Sequence, residues 1–407
     1  MKYILIKNGL IVQPHKIIKG DMIICNNRIL EIALHLDHSD PETKIIDVNG
    51  NYILPGLIHY KSPFLKTDCL DEISTIYIAL SHGSTFLMDV LKITNINEFI
   101  KTINEARSNS KPIITDFSLH IDAYSASKLS REALNHCYIN EGATSFTLKW
   151  KYVHKLISGK LDTLLKFISD NQLLLICETE DIKQASLIKH PNFFYSYLEI
   201  LKEALQILRN KNVKTLITDL TSKEELYTIF GNNIHDDKIF AAISSRNNLT
   251  DIPGAIQKEN LSKLGKHTNI VLNPPVLKPP EIYKQFIENK SMFSFLKDIA
   301  GSKLVTQESL LTICQMYATR PAKLLGAYPQ KGALLPGSDA DLLIWSPIKT
   351  SAYIKPGANT SLLRTDIKAM LFNGRYITAD DMIISGQLNG RYIYRNPSFE
   401  IRTTMPI

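Results

Sequence analysis

The segment TFLMDVLKITNINEFIKTINEA, residues 85–106, sets six mostly apolar residues ahead of a stretch in which Ile96, Phe99, Ile100 and Ile103 recur at helical spacing. A short apolar run followed by one amphipathic helix reads as a βα unit. The same texture continues on both sides. ILPGLI (53–58), PIITDFSLHI (112–121), TSFTLKW (144–150), LLLICE (173–178), TLITDL (215–220) and IFAAIS (239–244) are further apolar strands between helix-length segments, and MFSFL (292–296) supplies an eighth. A parallel sheet must be covered on both faces, and eight strands close without edges. The expectation is an α/β chain whose residues 55–329 form a (β/α)8 TIM-type barrel.

Residues 1–54 and 330–407 read differently. Tyr3–Val12, Met22–Cys25 and Arg28–Ala33 are β-rich pieces separated by Asn-Gly, Asn-Asn and Asp/Pro turns, which predicts a small antiparallel sheet. ADLLIW (340–345), IKAMLFNGRYI (367–377) and LNGRYIYR (388–395) have the same character, and their two Asn-Gly dipeptides are hairpin signals. The two ends are expected to combine into one discontinuous β-sandwich domain bracketing the barrel.

Composition narrows the function classes. With 407 residues, 44% hydrophobic and 21% charged, the chain is an ordinary globular protein, neither disordered nor fibrous. The net charge of +7 is spread without a run of five basic residues, so no nucleic-acid partner is expected. Neither G-x-G-x-x-G nor G-x-x-x-x-G-K-[ST] occurs, which removes the common nucleotide cradles. Cys25, Cys69, Cys137, Cys177 and Cys314 are far apart with no C-x-x-C, as expected of reduced thiols in a cytoplasm. No signal peptide and no membrane span is read from the chain.

Several strings then carry a resemblance. DVNGNYILPGLI (47–58), GATSFTLKWKY (142–152), LLICETED (174–181), TLITDLTS (215–222), VLNPPVLKP (271–279) and YATRPAKLLGAYPQKGALLPGSDADLLIWSP (317–347) occur in the order in which similar strings occur in the amidohydrolase superfamily. They resemble its dihydropyrimidinase, hydantoinase and dihydroorotase group. That resemblance implies a zinc-dependent hydrolysis of a cyclic amide, served by a His-x-His pair, a metal-bridging carboxylated lysine, two further histidines and an aspartate that takes a proton from metal-bound water.

Residue by residue, most of that machinery is replaced. The family's Pro-Gly-x-Ile-Asp-x-His-x-His aligns with Pro55–Pro63, which puts Lys61 and Pro63 at the histidine positions and His59 at a neighbouring one. Thr147 stands where the bridging lysine belongs, with Lys149 two residues on and on the same strand face. Ile176 and Asp219 take the places of the two later histidines. Asp298 keeps the catalytic aspartate position, while Tyr152 and Asn273 match residues of the substrate pocket. Glu178, Asp219 and Asp298 together form a candidate carboxylate cluster for a hard cation.

The reading is a pseudoenzyme: a catalytically silent, dihydroorotase-like or dihydropyrimidinase-like protein with no cofactor. Family precedent suggests a structural or regulatory partner in pyrimidine metabolism, either a scaffold for aspartate transcarbamoylase or a protein that binds cytoskeletal partners, with homodimers or tetramers as the family habit. The alternative is a cyclic amide hydrolase with a rebuilt zinc site, in which Asp298 is the base, Asp219 or His59 a ligand and Lys149 a substitute bridge. A third reading is a sensor that binds a pyrimidine in the vacated pocket.

Overall fold

The computed structural model describes residues 2–62, 64, 79–80, 83–107, 113, 115–180, 191–231, 236–244, 267–273, 306–346, 367–378 and 390–397. The chain begins with β1 (Tyr3–Val12), β2 (Ile17–Cys25), β3 (Arg28–Ala33), β4 (Lys44–Asp47) and β5 (Tyr52–Pro55). β1 pairs antiparallel with β2 and β2 with β3, whereas β4 and β5 both run parallel to β1. The expected antiparallel sheet is therefore mixed, because the connection after β3 carries the chain back so that β4 and β5 enter the other edge of β1 in its own direction.

ILPGLI reads as one strand but is divided at Gly56. β5 stays with the first sheet and β6 (Leu57–His59) opens the second. Gly56 donates its N–H to the carbonyl of Asp341, and a Cβ at this position would lie 2.1 Å from Thr85 Oγ1, so only glycine lets the backbone pass.

The second sheet continues with β7 (Ser84–Leu91), β8 (Asp116–Asp122), β9 (Ser145–Lys149), β10 (Leu174–Glu178), β11 (Lys214–Leu220), β12 (Ile239–Ile243) and β13 (Ile270–Leu272), each parallel to the one before it. Its eighth strand among the described residues is β13, from the VLNPP string. The expected strand MFSFL lies outside the described residues. Tyr60 draws the two ends of the sheet together, its hydroxyl donating to Asn273 Oδ1 at 2.5 Å and lying 3.4 Å from the Leu272 carbonyl. With helices following the strands, this is the barrel architecture that the apolar runs predict.

Strand alternation sorts the side chains. Leu87, Leu119, Phe146, Leu175 and Ile217 pack outward against helices such as Ile96–Arg107, which buries Phe99 and Ile103. Ile58, Met88, Leu174, Ile176, Leu216 and Val271 face inward. The chain ends add β14 (Leu342–Trp345), β15 (Ile367–Phe372) and β16 (Arg375–Thr378). β14 pairs with β5, so both termini share one sheet, and the β15–β16 hairpin turns at Asn373-Gly374 with φ of 48° and 70°, as the Asn-Gly signal predicts. No helix among the described residues is long and apolar enough to cross a membrane.

Two buried cations fasten the base of the barrel. Lys331 Nζ bonds to Asp116, the first residue of β8, and to Asp341, and lies 3.0 Å from Asp339; Arg391 also reaches Asp116 and Asp339. Burial pushes Asp341 up to about 6 against the opposing pull of Lys331. Burial would raise Asp116 as well, but Lys331 and Arg391 outweigh it and hold that carboxyl below its ordinary value. The second cation, Arg395, is 0% exposed and donates to Ser118 Oγ (2.9 Å), Ser145 Oγ (2.7 Å) and the carbonyls of Leu119 and Leu325.

Candidate functional site at the barrel mouth

Parallel strands deliver their last residues to one end, and here those residues are charged. Glu178 closes β10 and pairs in register with Lys149, which closes β9. Asp219 sits near the end of β11, where the pairing with β12 slips between Ile217 and Leu220, and it has a φ of 64°. A left-handed, non-glycine residue at a register slip is a strained arrangement that re-aims a side chain. Asp219 is thereby held by three donors, Asn273 Nδ2 at 2.6 Å, Thr218 Oγ1 at 2.6 Å and Lys61 Nζ at 3.1 Å.

Lys61 is the centre of this arrangement. Two residues beyond β6, its ammonium also lies 2.7 Å from Glu180 and 3.9 Å from Glu178, with 16% of the side chain exposed. Burial alone would lower its pKa, but Asp219, Glu178 and Glu180 together push it up, so the ammonium stays charged. Burial raises Glu178, and the nearby carboxylates of Asp219 and Glu180 add to that against Lys61 and Lys149.

A polar seam connects the mouth to the base. His120, inside the barrel on β8, has Nδ1 2.6 Å from Ser145 Oγ and Nε2 2.9 Å from the Tyr60 carbonyl. A carbonyl can only accept, so Nε2 carries the proton and Nδ1 accepts from the serine. Burial and the Arg395 charge depress the imidazole to about 3, which keeps it neutral. Arg395, Ser145, His120 and the Tyr60 backbone therefore bond in line, and the Tyr60 hydroxyl continues through Asn273 to Asp219.

The structure brings together some of the residues singled out in the sequence and separates others. Lys61, Asp219, Glu178 and Asn273 meet. Thr147 and Ile176 are in register with each other two residues before Lys149 and Glu178; both are buried, and Thr147 Oγ1 has no hydrogen-bond partner among the described residues. His59 is buried between the inward-facing Ile58 and Tyr60, on the opposite strand face from the interior. Tyr152 stacks on Tyr124 with ring centroids 4.6 Å apart and takes no part in the Lys61 hydrogen bonds. Pro63 and Asp298 lie outside the described residues. Among the described residues the third carboxylate beside Lys61 is Glu180, and neither Glu180 nor Tyr60 stands out in the sequence, because strand periodicity carries no signal beyond a strand's last residue.

Replacing Lys61 with methionine should cost about 2 kcal/mol near neutral pH, since the stranded carboxylates are partly hydrated. Glu178 already titrates above its ordinary value, and losing Lys61 raises it further. A raised carboxyl contributes stability below its unfolded pKa and loses it as pH rises through the folded value. The deficit should therefore be larger at pH 7.5 than at pH 5 in urea denaturation; equal losses would show that the ammonium does not neutralise these acids.

No protein-family model matches the chain. It is 23% identical to the D-hydantoinase of Geobacillus stearothermophilus over 97% of its length and 93% of that protein. It is 22% identical to the dihydroorotase of Syntrophus aciditrophicus, covering 93% of this chain and 100% of that one. The crystal structure of dihydropyrimidinase from Brevibacillus agri superposes with a TM-score of 0.69 at 18% identity, covering 97% and 99% of the two chains. This barrel, this order of strings and relatives matched along nearly their whole length support membership of the amidohydrolase superfamily.

Proposed function

We propose that this chain is a non-catalytic relative of the hydantoinases, dihydropyrimidinases and dihydroorotases, acting through protein contacts as a structural or regulatory partner in pyrimidine metabolism. The observation that carries this reading is the Lys61 ammonium, held among Glu178, Glu180 and Asp219 at 2.7–3.9 Å. A tethered cation there competes with any metal ion for the same oxygens. Ile176 offers no ligand atom, a threonine hydroxyl is a poor substitute for a bridging carboxylate, and the interior imidazole of His120 is engaged at both nitrogens. This donor set does not fit a binuclear zinc centre.

By analogy with dihydroorotase-like scaffold subunits, the proposed partner is aspartate transcarbamoylase, with self-association into dimers or tetramers as the second expected contact. The test is zinc content by elemental mass spectrometry on chelator-free protein, beside turnover of dihydroorotate and dihydrouracil. The expected result is no stoichiometric metal and no turnover. One or two zinc ions per chain with turnover would overturn the proposal in favour of a cyclic amide hydrolase, with Lys149, in register with Glu178, as the substitute bridge. The double variant Lys61→His, Pro63→His should also remain inactive in both assays, because Thr147, Ile176 and Asp219 still replace a lysine and two histidines.

A further inference from the structure

Away from the Lys61 cluster, a cavity of about 240 Å³ lies between the end of β7 and the helical turn Ala123–Ala126, and its lining includes Lys92, Ile93, Asp122, Tyr124, Lys128 and Tyr152. We propose that it binds a small organic carboxylate. Its lining is rich in donors and poor in acceptors. Lys92 and Lys128 make no ion pair with a described carboxylate, and the hydroxyls of Tyr124 and Tyr152 make no hydrogen bond among the described residues. Asp122, the acid of the lining, is buried and commits Oδ1 to the backbone N–H of Ser125.

The tyrosine pair is a prepared wall. The rings stack at 4.6 Å and 13°, with Lys128 Nζ 4.6 Å from the Tyr124 centroid and Lys151 Nζ 5.1 Å from that of Tyr152. Ammonium groups over the rings leave ring edges, hydroxyls and positive charge as what the wall presents. A ligand here must bring negative charge and acceptors. Ile93, fully buried in the lining, adds an apolar surface, which favours an acid with a hydrocarbon part over an inorganic ion. The proposal is independent of whether the chain hydrolyses amides.

Calorimetric titration with succinate and benzoate, each beside its neutral amide and beside inorganic phosphate, tests it. At least one acid should bind saturably while its amide does not, and phosphate should bind more weakly than that acid. Lys92→Met and Lys128→Met should each weaken the acid about tenfold, the loss of one charge-assisted contact. Both lysines are exposed, so both variants should fold. Lys101→Met, on the helix Ile96–Arg107, should change nothing. No binding by either acid, equal binding of acid and amide, phosphate binding as strong as the acid, or lysine variants that behave as Lys101→Met would each overturn the proposal.

Discussion

Replacing Lys331 with methionine should destabilise the fold by about 5 kcal/mol, the upper end of the range for breaking a buried ion cluster. The lysine is 2% exposed and lies among Asp116, Asp339 and Asp341, with the half-buried Arg391 beside them, so the variant would keep three carboxylates at the barrel base with one guanidinium between them. The elements concerned are the start of β8, the approach to β14 and the segment 390–397, so the barrel and the terminal sheet should loosen together. Asp341 provides a second, milder variant. Its carboxyl is raised from 3.8 to about 6, so its contribution to stability is fully present below about pH 4 and is lost as pH rises through 6. Asp116 is shifted the other way, and its contribution is lost only as pH falls below its ordinary range. Wild-type stability should therefore peak near pH 4, above the range in which Asp116 protonates and below the range in which the Asp341 contribution is lost. Asp341→Asn, which keeps an acceptor for Lys331 and drops the charge, should flatten the decline between about pH 4 and pH 6 in urea denaturation. An unchanged slope would show that Asp341 is not the group that loses its proton over this range.

Much of the fold was legible because burial on one or both faces writes itself into residue order. The βα texture around residues 85–106 and the Asn373-Gly374 hairpin are local signals, and the structure has both. The break at Gly56 was not legible: ILPGLI is one apolar run, and only the approach of Thr85 explains why the chain changes sheets there. β13 is three residues long and lies just before two prolines, too short to show a period in the sequence. At the mouth, alignment showed Lys61 and Asp219 as departures from histidine without showing that they bond to each other. That contact depends on a left-handed backbone at Asp219 and a register slip in β11, which aspartate permits but does not announce.

The base of the barrel was less legible still, because Arg395 belongs to a string, LNGRYIYR, that reads as a hairpin strand and carries no mark of a buried arginine. Its guanidinium is instead fully buried, with two serine hydroxyls and two carbonyls as acceptors and no carboxylate ion pair among the described residues. Burial lowers its pKa to about 10, which still leaves it charged at neutral pH. Arg395→Met should cost about 4 kcal/mol, because four acceptors lose their donors in a place water does not readily reach, at roughly 1–3 kcal/mol for each unsatisfied group before relaxation. Arg395→Lys should recover little, since one ammonium cannot match the planar spread that reaches Ser118 and Ser145 together with two carbonyls. The same loss should be felt at the mouth. Ser145 accepts from Arg395 while donating to His120, and His120 in turn holds the Tyr60 carbonyl, so removing the guanidinium frees the first link of the seam that ends at Asp219. The charge also helps to depress His120. In the methionine variant the imidazole should therefore titrate higher than about 3, a change that proton NMR of the histidine ring can follow. A destabilised variant whose His120 titration is unchanged would mean that Arg395 only fills space. A shift in His120 together with the loss of stability would show that the tail organises the barrel interior from the base to the mouth.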